Sequence, residues 1–174
     1  MTTDKQKQEE IEKFHGNKLL SLINQQKCLY LRHGKDGHEP DLIYQYADKL
    51  MGLEITTAHR NEKLAEDCAN LVRGKDSKNK YFDILQVGQY NSHVIDTVKS
   101  VQDCINKKSS RNYDFNSFSE VNLCININNP IFDRNDARQV VPQITVPSCK
   151  FKHVFLLYQD NGGTYCCEQL KYGT

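Results

Sequence analysis

Two acids in the stretch PDLIYQYADKLMGLEIT could act on one ion. Asp41 directly follows Pro40, and Glu54 sits between Leu53 and Ile55 in an apolar run. A carboxylate in an apolar strand is costly to bury unless it is paired or holds a cation. Side chains alternate along a strand. Asp41, Ile43 and Gln45 therefore share one face of a strand Asp41–Tyr46, and Gly52, Glu54 and Thr56 share one face of a strand Met51–Thr56. If the loop Ala47–Leu50 closes a hairpin, Tyr46 lies opposite Met51, Asp41 opposite Thr56 and Ile43 opposite Glu54. Asp41 and Glu54 are then diagonal neighbours within reach of one ion, and a one-residue slip would part them. Two such carboxylates call for a hard cation with oxygen ligands. Mg²⁺ (or Mn²⁺) suits one or two carboxylates plus a substrate phosphate. Such an ion generates hydroxide and stabilises charge on a phosphoryl oxygen.

The surrounding elements must hold this pair. Residues 5–24 carry Ile11, Phe14, Leu19, Leu22 and Ile23 at helical spacing. KCLYLR (Lys27–Arg32), DLIYQY (Asp41–Tyr46) and MGLEIT (Met51–Thr56) read as strands. Their loops are too short for a helical crossover, so they form an antiparallel meander. Ala58–Arg73 has a helical face of Leu64, Cys68, Leu71 and Val72 with Gly74 at its C-terminal cap. Tyr81–Tyr90 is ambiguous between a short helix and an irregular insert. Ser92–Lys108 is a helix lined by Val94, Val98, Val101 and Ile105. Strands follow at Glu120–Asn126 and His153–Tyr158, separated by a long loop containing Pro130, Pro142 and Pro147. The expected class is α/β (α+β), one domain over residues 1–174, with a mixed central sheet flanked by helices.

A helix, then Pro40–Asp41, then Glu54 in the next apolar strand resembles the PD-(D/E)xK nuclease superfamily. The resemblance extends over the αβββαβ order from the first helix to Glu120–Asn126, and it implies a restriction-endonuclease-like core. It implies metal ligation by Asp41, Glu54 and the backbone carbonyl of Ile55. Glu12 on the first helix is the candidate for a further ligand, ahead of Glu9 or Glu10. The motif lysine falls on Thr56, which can orient water but brings no charge. Lys99 is the leading surrogate, with Lys63 and Lys107 behind it. Asp41, Glu54, Thr56 and Lys99 are thus the candidate catalytic set for metal-dependent phosphodiester hydrolysis, DNA ahead of RNA. The alternative is a disabled site in a domain that binds nucleic acid or protein. Many nucleases of this type act as dimers, which leaves a homodimer open.

Each residue also has an ordinary reading. Pro-Asp is common turn chemistry, and Thr56 suits a strand without any function. His33, His38 and His59 lie near the two acids in sequence and read as surface or satisfied histidines. Arg73, Lys75, Lys78 and Lys80 surround a polar loop, while Lys107, Lys108 and Arg111 end the long helix Ser92–Lys108. If the chain binds nucleic acid, these are its phosphate contacts. The 23 basic and 22 acidic residues give a net charge of +1, which does not mark an obligate polyanion binder but leaves room for a local basic groove. The 7 cysteines form no CxxC pair and read as buried thiols in a reducing, cytoplasmic setting. Neither a signal peptide nor an apolar run long enough to cross a membrane is evident. Asn128–Lys150 has no role that its residues declare.

Overall fold

The computed structural model describes residues 3–25, 27–35, 37–59, 90–129 and 131–173. Most of the expected helix Ala58–Arg73, all of the ambiguous Tyr81–Tyr90 segment but Tyr90, and the basic residues Arg73, Lys75, Lys78 and Lys80 lie outside the described residues, as do Lys63 and Pro130.

The elements are α1 (Asp4–Leu22), β1 (Leu29–His33), β2 (Leu42–Tyr46), β3 (Lys49–His59), α2 (Tyr90–Ser109), β4 (Glu120–Asn128), α3 (Arg134–Val140), β5 (Val154–Gln159) and β6 (Tyr165–Leu170). The strands form one mixed sheet in the order β1-β2-β3-β4-β5-β6. Pairs β1·β2, β2·β3 and β5·β6 are antiparallel; β3·β4 and β4·β5 are parallel. The antiparallel meander of the first three strands is therefore present. Helix α1 covers one face, and α2 with α3 covers the other.

Four features differ from the sequence expectation. The β2–β3 turn is tighter, because Tyr46 pairs with Lys49 rather than Met51. Ala47 takes a left-handed φ of 55° in that two-residue turn. A shift of two residues keeps every side chain on its expected face. Strand β3 then runs on to His59, so Ala58 and His59 are strand rather than the start of a helix. Finally, the stretch Asn128–Lys150 contains α3, started by a capping box between Asp133 and Asp136, and β6 adds a strand after the turn at Asn161–Gly163.

Both cores follow from strand alternation. Leu19 and Leu20 of α1 pack with Leu42, Tyr44, Leu53, Ile55 and Leu157. On the opposite face Val94, Val101 and Ile105 of α2 meet Ile43, Leu123, Ile125 and Leu156. Helix α1 sits close to the sheet because Gly16 lacks a side chain. A Cβ there would stand 2.4 Å from Leu42 Cδ1 and 2.7 Å from the Tyr44 hydroxyl. Among the described residues no helix is long and apolar enough to cross a membrane.

Gly16→Ala separates packing from propensity. Helix propensity alone would stabilise α1 by about 0.5–1 kcal/mol. The close approach to Leu42 reverses the sign, and we expect a loss of about 1–3 kcal/mol in urea denaturation.

Candidate functional site

Register, proline packing and one helix stripe bring the site together. Continuing the Leu42–Leu53 pairing by one residue sets Asp41 beside Glu54. Pro40 is wedged against the backbone of Gly52, where a Cβ would come within 2.5 Å of the proline ring. The two acids then tie the strand ends together. The Asp41 N–H donates to Glu54 Oε2 at 3.3 Å, and the Ile55 N–H donates to Asp41 Oδ2 at 2.8 Å. Glu54 is 1% exposed.

The cation beside Glu54 comes from α2. Lys108 donates to Glu54 Oε1, the Tyr113 hydroxyl donates to the same oxygen at 2.7 Å, and Arg111 stands 3.9 Å away. Lys108 is there because it extends the buried stripe Val94, Val101, Ile105 by three further positions. Lys99 lies about 180° around the same helix from Lys108. It is exposed and does not join the acids. Lys107 is likewise exposed, as is Arg111. Lys108, expected as a phosphate contact on the surface, is instead a buried ion-pair partner. Thr56 sits one position past Ile55 against α2, with its hydroxyl 3.9 Å from Cys104 Sγ.

Glu12 of α1 reaches the same region from the other face and shares a cavity wall with Asp41. Its carboxylate accepts from Gln8 Nε2 at 2.8 Å. Burial pushes the Glu12 carboxyl up, against the pull of Gln8, His33 and Lys108. Asp41 is pushed up to about 7, first by burial and then by the charge of Glu54, with Glu12 adding and Lys108 and the Ile55 N–H opposing. Asp41 is therefore the acid of this centre whose charge changes near neutral pH.

This donor set does not form a metal cage in the arrangement present. Both oxygens of Glu54 accept hydrogen bonds, one of them from an ammonium group, and one oxygen of Asp41 is held by Ile55. Among the described residues no three His, Cys, Asp or Glu side chains are placed to hold a metal ion.

A cleft of about 660 Å³ opens from this centre at the carboxyl ends of β3 and β4. Crevices at the carboxyl ends of parallel strands are where open α/β sheets bind ligands. Gln8, Thr57, Asn126, Asn128, Gln159 and Tyr165 supply its amides and hydroxyls. His15 and His59 also line it. Each keeps a buried Nδ1 with no hydrogen-bond partner among the described residues. Burial holds both imidazoles below their usual basicity. None of these polar groups except His59 was singled out by the sequence. The signal for Asn126 and Asn128 was their alternation with Ile125 and Ile127 at the end of an apolar strand.

The chain matches no protein-family model, no curated protein and no solved structure.

Two stability measurements test the centre. Asp41 has a folded pKa above its unfolded value, so protonation favours the folded state. Stability from this group is full below pH ~4 and is lost as pH rises to about 7. The fall is at most about 4 kcal/mol, and Asp41→Asn flattens it relative to the parent in denaturation series across that window. Lys108→Met strands a buried carboxylate and costs about 3–5 kcal/mol at pH 7, whereas Glu54→Gln with Lys108→Met recovers most of the loss.

Proposed function

We propose that this chain is a nuclease-like α/β domain whose acid centre is closed by its own lysine and which binds single-stranded nucleic acid without metal. The observation that carries the reading is the cleft beside the closed centre. Its lining offers amides, hydroxyls and two imidazole nitrogens without a hydrogen-bond partner among the described residues, the groups that read the edges of unpaired bases. Glu54 is neutralised by Lys108 and Tyr113, so no ion is needed to stabilise the floor. Asp41, Glu12 and Asp4 disfavour a phosphate deep in the cleft. A base fits there, with the backbone outside near the exposed Arg111, which lines an adjoining cavity with Gln8, Glu12 and Asp41.

A second reading is favoured by one specific juxtaposition. Asp41, Glu54 and a helix-borne lysine meet at the cleft in the order that resembles the PD-(D/E)xK superfamily, with Lys108 standing in for the lysine replaced by Thr56. Metal-dependent phosphodiester hydrolysis would require Lys108 to release Glu54.

Labelled single-stranded DNA and RNA oligonucleotides, followed by fluorescence anisotropy, decide between them. We expect binding that is equal in chelator and in Mg²⁺, no cleavage, and weakening of about tenfold, ~1.4 kcal/mol, in Asn126→Ala. Absence of binding overturns the proposal. Mg²⁺- or Mn²⁺-dependent cleavage that disappears in Glu54→Gln replaces it with the hydrolytic reading.

A further inference from the structure

A second cavity lies at the other end of the sheet, beyond the C-terminal end of α1. It encloses about 620 Å³, within the range of small-molecule sites. Its floor is Met51 and Glu120, the paired first residues of the β3·β4 ladder. Lys27, Lys49 and Lys152 line it. Glu120 is already neutralised, since it accepts from Lys152 Nζ at 2.5 Å and from Asn122 Nδ2 at 3.1 Å. Lys27 and Lys49 are both exposed. The lining therefore carries an excess of positive charge, in contrast to the acidic cleft at the other end.

An aromatic ring stands beside these lysines. Tyr46 lines the cavity, is 51% exposed and pairs directly with Lys49 across the β2–β3 turn. A large exposed ring next to a cationic cavity offers a stacking platform and an anion anchor within one site. Gln25 completes the wall, and its amide oxygen is buried with no hydrogen-bond partner among the described residues. An N–H donor on a ligand would satisfy it after a side-chain rotation.

We infer that this cavity binds a mononucleotide, its phosphate held by Lys27 and Lys49 and its base stacked on Tyr46. Phosphate and lysine supply the attraction, the tyrosine ring supplies selectivity for an aromatic ligand, and the Gln25 amide accepts from an exocyclic amine. The inference is independent of what the acidic cleft binds.

Isothermal titration of the intact chain with AMP, adenosine and inorganic phosphate tests it. AMP should bind at least tenfold more tightly than adenosine or phosphate. Lys49→Glu and Tyr46→Ala, both at exposed positions, should each weaken AMP about tenfold with unchanged circular dichroism. Asn126→Ala, in the cleft at the far end, should leave the AMP heat intact. Absence of AMP binding overturns the inference. So does AMP binding that survives Lys49→Glu but is lost in Asn126→Ala, because the ligand then sits in the cleft. Phosphate that binds as tightly as AMP removes the role of Tyr46 and overturns the site as one for nucleotides.

Discussion

Burial of the Glu54 charge is the constraint that the rest of this structure serves. An isolated carboxylate in a protein interior is so unfavourable that it would take up a proton instead. Here it is held by an ammonium group, a phenolic hydroxyl and a peptide N–H. Each donor comes from a different part of the chain. Lys108 requires α2 to run into its last turn with the buried stripe intact. Tyr113 requires the segment after α2 to fold back onto β3. The Asp41 N–H requires Pro40 to seat against Gly52, which only a residue without a side chain permits. Loss of any one donor therefore has consequences for the placement of the others.

The same pairing explains why Asp41 is the group left to titrate. Lys108 is spent largely on Glu54, so Asp41 feels burial and two neighbouring carboxylates with only partial compensation. A carboxyl balanced near neutrality at the mouth of a cleft can carry either charge state at small cost. That property is shared by binding and catalytic sites, and it does not discriminate between them. The discrimination lies in geometry. Lys108 already holds one oxygen of Glu54, and the amides and hydroxyls of the cleft make no hydrogen bond to these acids among the described residues except that of Gln8 to Glu12 on the helix face.

Much of the fold was legible because its signals are local. Alternation set the faces of β2, β3 and β4, and helical spacing set α2. The pairing of Asp41 with Glu54 was legible for a less secure reason. The turn is two residues long rather than four, with Ala47 in a conformation that alanine seldom adopts, so no turn residue marked it. The face survived only because the shift was even. Lys108 was hidden by its type. A lysine at the end of a helix ordinarily answers the helix dipole and faces water, and its place on the stripe of Val94, Val101 and Ile105 was the sign to weigh against that. Lys99 has no such place on the stripe. Helix α3 and β6 were obscured because a seven-residue helix and a cysteine-rich edge strand carry little periodicity.

The net charge of +1 conceals how charge is distributed. Among the described residues, Asp4, Glu12 and Asp41 gather at the carboxyl ends of β3 and β4 with Lys108 as the one lysine or arginine lining the same cleft. Lys27, Lys49 and Lys152 gather at the opposite ends of the same strands, with Glu120 the one acid lining that cavity among the described residues. Helix α1 lies between the two cavities and contributes residues near both, Gln8 and Glu12 to one and the turn after its C-terminus to the other. An anion approaching this face is drawn toward one end of the strands and repelled from the other. The segregation of charge along one strand pair, rather than its total, is what gives this face a direction.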